Sequence, residues 1–424
     1  MVVERHNLLK RPGMIPTMAL HIGAMTLLAM TDVGSPRVDH HGSHFHSDST
    51  VRRLDGSTLS VTRADSLVRT LVAQHHITGL QIAVVNGGRL AWSAAYGLQN
   101  KAPDRPLTTG SILWAASITK GVFAAYAMQL VERGRLPLDT PVVALLQTPL
   151  DQVPAYKESA SALVKDPRWA HVTPRMLLSH SSGLANFAFL EPDGRMQLHH
   201  EPGTAYRYSG DGLNILQLVI EQREGQKLEV LMEQQLLQPL GMSSTTMIHR
   251  APFTERMADR FGKEEQFLAA TRRSPARAAG SMVSTAEDLA HFGIALMQGR
   301  VLGERTRAEM LRPQIVPNTQ HEFPMPGDTG TNAEAKRLGV AYGLGWGLMT
   351  TTPHGPGFFK QGHGDGAQTL MVCFARQQQC LVLMTNSDNG EWAFAPLVKE
   401  FLGSDALPVE WMSYTPDALR SKTN

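Results

Sequence analysis

The chain is short of charge of one sign, of cysteine and of most catalytic signatures. Its 424 residues carry 40 basic and 38 acidic side chains, a net charge of +2, with no basic block and no basic–aromatic ladder. That balance argues against a nucleic-acid partner. No periodicity of 20–50 residues is visible, which argues against a repeat fold. There is no Gly-x-Ser-x-Gly elbow, no His-Glu-x-x-His and no P-loop, so α/β-hydrolase, zincin and P-loop chemistry are disfavoured. The glycine-rich runs 343–347 and 362–366 lack dinucleotide spacing. With 42% hydrophobic and 18% charged residues, the composition is that of an ordinary globular protein long enough for a large core.

Long apolar runs are scarce as well. After Arg5, Lys10 and Arg11 comes one uncharged stretch, Met14 to Met30, broken by Pro16 and His21 and short for a membrane span. It reads as a secretory signal over residues 1–31, in preference to a membrane anchor or a misassigned start. The expectation is therefore a periplasmic or secreted protein with no stable membrane insertion once the signal is removed; a retained anchor is the alternative. His40, His41, His44 and His46 lie among Gly and Ser in a segment, 32–58, that reads as a solvated linker. A metal tract is disfavoured because no ligand pattern recurs elsewhere. The two cysteines, Cys373 and Cys380, flank Arg376-Gln377 symmetrically. A hairpin turn there sets them opposite each other, where an exported protein could oxidise them, but the preferred reading is a free buried pair. Neither reading implies metal or redox chemistry.

What is present points to one sheet built from both ends of the chain. Residues 80–85 and 89–94, around Asn86-Gly87-Gly88, predict a β-hairpin. Strand character returns at 345–351, 369–375 and 380–386, before a helix at 392–402. The middle, about 140–340, is mostly helical, with helices near 213–223 and 285–297. The expected fold is α+β, an α/β sandwich. Its antiparallel sheet comes from N- and C-terminal strands flanked by helices, with an inserted, mostly helical subdomain and a cleft between the parts. The domain is expected to span 59–403, followed by a tail, 404–424.

Residues 117–120 read Ser-Ile-Thr-Lys. A hydroxyl and an amine three residues apart share one helix face. Serine needs a base within reach, and a lysine supplies one when burial or nearby positive charge lowers its pKa. The apolar residues Trp114, Ala115, Ala116, Val122, Phe123 and Tyr126 suit a buried site.

Three further segments accompany it. Residues 173–184 read Thr-Pro-Arg-Met-Leu-Leu-Ser-His-Ser-Ser-Gly-Leu, 202–214 read Pro-Gly-Thr-Ala-Tyr-Arg-Tyr-Ser-Gly-Asp-Gly-Leu-Asn, and 360–366 read Lys-Gln-Gly-His-Gly-Asp-Gly. In this order they resemble the serine β-lactamase and penicillin-binding-protein superfamily, in the branch of class C β-lactamases, D-peptidases and β-lactamase-fold esterases. Secondary matches are 279–289, Pro239-Leu-Gly-Met242 and Tyr342-Gly-Leu-Gly-Trp-Gly347. The resemblance runs from about residue 60 to 402.

The resemblance implies Ser117 as nucleophile, Lys120 as its proton-transfer partner and Tyr208 as second base, with Tyr206 ranked well below it. Motif three falls on Lys360-Gln361-Gly362 in preference to the rival register His363-Gly364-Asp365. The N–H groups of Ser117 and His363 would then form an oxyanion hole, and Lys360 would attract a substrate carboxylate or tune Tyr208. Gly210 stands where the family has an asparagine, and Gln361 where it has a hydroxyl residue. Both departures weaken contacts that favour β-lactams and peptides. The implied activity is a cofactor-free, metal-free serine hydrolase leaning towards esters, with β-lactam and D-amino-acid peptide substrates as the alternative. A penicillin-binding sensor without turnover is a second alternative. The region 324–336 reads either as a flap over the cleft or as a surface loop.

Overall fold

The computed structural model describes residues 44–45, 50–324, 328 and 330–422. The expected signal, and His40, His41 and His46 of the histidine tract, lie outside the described residues, as does part of 324–336. Nine strands form one antiparallel sheet. In chain order they are β1 (His44–Phe45), β2 (Gly79–Asn86), β3 (Arg89–Lys101), β4 (Asp104–Pro106), β5 (Val340–Tyr342), β6 (Gly347–Met349), β7 (Gly357–Gly364), β8 (Ala367–Phe374) and β9 (Gln379–Thr385). Across the sheet the order is β1-β3-β2-β9-β8-β7-β6-β5, with β4 pairing β3. N- and C-terminal strands meet at the centre, where β2 pairs β9. Sheet and helices together confirm the expected α+β sandwich.

Local chemistry accounts for the elements. The β2–β3 turn places Gly87 and Gly88 at φ 56° and 72°, the left-handed pair that a type I′ hairpin requires. The helix α1 (Val61–Gln74) starts at Ser60, whose hydroxyl accepts from Arg63 N–H. It packs on one face of the sheet together with a helix at Phe394–Leu402, burying Val68, Leu397 and Phe401 against Ile82, Trp92 and Leu383. The opposite face carries α2 (Ile118–Glu132) and a helix at Ala286–Met297. α2 is buried on nearly every side, which explains its all-round apolar sequence. Thr285 caps the Ala286–Met297 helix by accepting from Asp288 N–H.

Cys373 and Cys380 are paired across β8 and β9 and form a disulfide, with Cα atoms 4.1 Å apart. The bridge lies beneath Gly293, where a Cβ would come within 3.0 Å of Cys380 Sγ.

Two expected boundaries shift. The second half of the 32–58 segment is structured, not linker: Thr50–Arg52 pairs with Thr58–Ser60. The tail after 403 belongs to the packed unit, because Trp411, Met412, Tyr414 and Leu419 are buried in the core that α1 covers. Among the described residues no helix is long and apolar enough to cross a membrane, and no group of three His, Cys, Asp or Glu side chains is arranged to hold a metal ion.

Candidate active site

Ser117 sits at the N-terminus of α2. The preceding Leu113–Trp114 strand is anchored to Val283–Ser284, and Ala116 takes a left-handed φ of 43°. A non-glycine residue in that region stores strain that the packing around it must hold. One turn along, Lys120 Nζ donates to Ser117 Oγ at 2.8 Å and to Ala279 O at 2.6 Å. The ammonium is fully buried. Burial lowers its pKa, the neighbouring Tyr208 opposes that, and the like charge of Lys360 adds to it.

Tyr208 enters from the helical subdomain, just ahead of the helix Gly210–Glu224 that Ser209 caps. Lys120 and Lys360 lie on the Tyr208 ring at 4.9 and 4.6 Å from its centroid. The phenol oxygen is buried and closes no hydrogen bond of regular geometry. Burial by itself raises its pKa, but the two ammonium groups outweigh it, and Ser117 adds to their effect, so the net shift is downward. Behind it, the His180 ring lies 4.3 Å away at a tilt of 32° and accepts from Ser209 N–H through Nδ1. Burial, with the charges of Lys360 and Lys120, keeps that imidazole neutral.

The residues of motif three divide between wall and interior. Lys360, fully buried, donates to Tyr342 Oη at 2.8 Å and lies 3.5 Å from the Glu322 carboxylate. The Gln361 amide also donates to Glu322, while its oxygen meets His363 Nε2 at 3.0 Å. His363 Nδ1 is 3.2 Å from Glu391. Packing beneath Phe323 and Tyr414 drives the His363 pKa down to about 4, against the pull of Glu391. Gly362 backs directly onto the loop that carries Ser117: a Cβ there would fall 2.7 Å from Ser117 N and 2.8 Å from Ala115 O.

A cavity of about 590 Å³ opens over Ser117, with Tyr208, His363, Asn214 and Ala279 around the serine and Trp114, Phe187, Phe189 and Phe323 as apolar walls. Of the residues expected from sequence, Ser117, Tyr208 and His363 line it, with Lys120 bonded to Ser117 directly beneath. Lys360, Gln361 and Gly362 do not line it, so a direct contact of Lys360 with a substrate carboxylate is not what this geometry offers. Gly210 lies behind Phe187, whose ring is 2.4 Å from where a Cβ would be. The space of the family asparagine is therefore taken up by an aromatic side chain. Sequence reasoning did not single out Glu322, Phe187, Arg273 or Arg277, for which it offers no local pattern. His180 and Tyr342 lay within quoted motifs without being assigned a part.

Serine, a lysine of lowered pKa and a phenol between two ammonium groups make a constellation able to accept a hydroxyl proton. Comparison with known proteins agrees with fold and motifs. The β-lactamase family model matches residues 64–398, and the chain belongs to that family of β-lactamase-fold hydrolases. It is 24% identical over 358 residues to penicillin-binding protein 4 of Amycolatopsis lactamdurans, covering 78% of this chain and 87% of that one. It is 27% identical over 238 residues to esterase EstB of Burkholderia gladioli, covering 50% of this chain and 57% of the esterase. Among solved structures, the hydrolase EstCE1 superposes with a TM-score of 0.64 at 18% identity, covering 81% of this chain and 98% of its own.

Proposed function

We propose that the protein is a serine hydrolase that cleaves carboxylic esters through an acyl-enzyme on Ser117. The observation that carries this reading is the 2.8 Å contact between a buried lysine amine and the serine oxygen at the floor of a cavity. Lys120 and Tyr208 take the hydroxyl proton as Ser117 Oγ attacks the carbonyl carbon. The backbone N–H groups of Ser117 and His363 receive the oxyanion, worth about 3–4 kcal/mol per donor in comparable sites. Tyr208 returns a proton to the leaving oxygen as its bond to the acyl carbon breaks. Water then attacks the acyl ester, releasing the acid and restoring the serine. Lys360, enclosed by Tyr342 and Glu322, acts on Tyr208 and not on substrate, and Gln361 positions His363.

The ester preference is supported by the apolar walls and by the Phe187 ring in the space of the family asparagine, which leaves no side-chain amide at position 210 to grip a peptide or β-lactam. Cleavage of β-lactams or D-alanyl peptides is the second reading, favoured by the likeness to penicillin-binding protein 4 over most of both chains. The Cys373–Cys380 disulfide supports an oxidising, exported location. Side-by-side turnover of 4-nitrophenyl butyrate and nitrocefin separates the substrates: faster ester turnover is expected, and efficient nitrocefin turnover with a silent ester would overturn the preference. A stable adduct with nitrocefin and no turnover of either would identify a penicillin-binding sensor.

A further inference from the structure

The same cavity carries two guanidinium groups that the acyl-transfer chemistry does not use. Arg273 and Arg277 both line it, on the segment that leads into Ala279. Among the described residues neither has an acidic oxygen within 4.0 Å, and neither side chain makes a hydrogen bond. Arg273 is half-buried, and burial together with the charges of Arg260 and Arg277 lowers its pKa. Two like charges thus line the cleft, with Arg260 beside them on the Trp114 ring. Arg277 is exposed, and the half-buried Arg273 is the one of the two that gives up part of its hydration without an anionic partner.

Stacking does not supply the missing partner. The Arg273 guanidinium lies 4.1 Å from the centroid of Trp114, and Arg260 is 5.1 Å from the same ring. The indole is itself fixed, donating through Nε1 to Gly280 O at 2.5 Å. A cation on an aromatic face gains attraction through that face. Its N–H fork, however, lies in the guanidinium plane and stays free for a two-point contact with a carboxylate.

The backbone carrying both arginines is pinned before any ligand arrives. Arg273 O accepts from His249 N–H at 2.7 Å, and Arg277 N–H donates to Ser281 Oγ at 2.9 Å. Ala278 N–H and Ala279 N–H are held by Gln217 and Asn214. Asp211 is the acidic residue among those lining the cavity; its Oδ2 accepts from Ala188 N–H at 2.7 Å, and it acts on Arg277 only at longer range.

We propose that Arg273 and Arg277 form a carboxylate-recognition arm, so that the preferred substrate of Ser117 carries an anionic group besides the bond that is cleaved. The inference rests on the serine-hydrolase reading, and replaces Lys360 as the source of carboxylate recognition.

The test compares 4-nitrophenyl hexanoate with mono-4-nitrophenyl adipate, which has the same chain length and a carboxylate in place of the terminal methyl. The wild type is expected to favour the adipate ester by about tenfold or more in kcat/KM, as one charged hydrogen-bonded contact predicts. Arg273→Gln and Arg277→Gln should each collapse that ratio, and raising salt from about 0.05 to about 0.5 M should shrink it. Arg89→Gln, at the exposed first residue of β3, controls for net charge and should leave the ratio unchanged. A wild-type ratio near or below one overturns the proposal while the hydrolase reading stands. Should neither ester turn over, binding of monomethyl adipate to Ser117→Ala, followed by calorimetry, decides it. Binding weakened about tenfold by Arg273→Gln supports the arm, and binding absent or unchanged contradicts it.

Discussion

Lys360 Nζ lies 3.5 Å from the Glu322 carboxylate, with both side chains shut off from solvent. This buried pair sits beneath Tyr208, and the two charges act on the phenol in opposite senses. Lys360→Met removes a cation that stabilises the phenolate, so the Tyr208 pKa rises. It also removes a like charge from Lys120, whose pKa rises as well. Both changes move the acidic limb of the kcat/KM profile to higher pH, the pair titrating as a unit. Activity at pH 7 should fall by about a hundredfold. Glu322→Gln should shift the limb the other way. A profile that keeps its shape while only its height drops would contradict the electrostatic role given to Lys360.

Gly210 meets the ring of Phe187 and the Asn186 amide oxygen, at 2.4 and 3.0 Å from a built Cβ. Gly210→Asn, which restores the family residue, should therefore destabilise the fold by about 1–3 kcal/mol through overpacking. Adding Phe187→Ala should recover much of that loss and raise turnover of amide or β-lactam substrates relative to esters. Urea melts and paired substrate assays check this. An asparagine at 210 tolerated without any stability change would mean that the Phe187 ring yields freely.

Glu309 offers a pH signature away from the site. Hydrogen bonds from Arg312 and, to a lesser degree, Arg175 hold its carboxyl at about 2, below its ordinary 4.5, against an opposing effect of burial second only to that of Arg312. A carboxyl depressed on folding contributes stability above its unfolded pKa and loses it as pH falls through 4.5 towards 2. Because the group is partly exposed, the contribution is about 1–2 kcal/mol after screening. Glu309→Gln should cost that much at pH 7, with most of the cost gone by about pH 2. A difference that persists unchanged across the range would contradict it.

How much of this was legible in the sequence depends on whether a feature is local. The β2–β3 hairpin, the opposed cysteines and the one-turn spacing of Ser117 and Lys120 follow from neighbours along the chain. Strand and helix periodicity were enough for the α+β sandwich. Glu322, Phe187 and Arg273 come from loops without periodicity, and only tertiary packing brings them to Ser117. Lys360 shows the limit most clearly, since a strand-edge lysine reads as solvent-facing until Tyr342 and Glu322 are seen to enclose it. The residues after 403 pass for a tail because a few spaced apolar side chains, Trp411 and Tyr414 among them, form no pattern until they meet the core.

The claim on which everything else depends is that Ser117 becomes acylated. Rapid acid quench of the enzyme during turnover of 4-nitrophenyl butyrate, followed by peptide mass spectrometry, tests it most directly. The account predicts a butyryl mass increment on the peptide containing Ser117, absent from Ser117→Ala, and accumulating in Tyr208→Phe if deacylation also draws on the phenol. Full turnover by Ser117→Ala, or a butyryl group found on another residue, would contradict it.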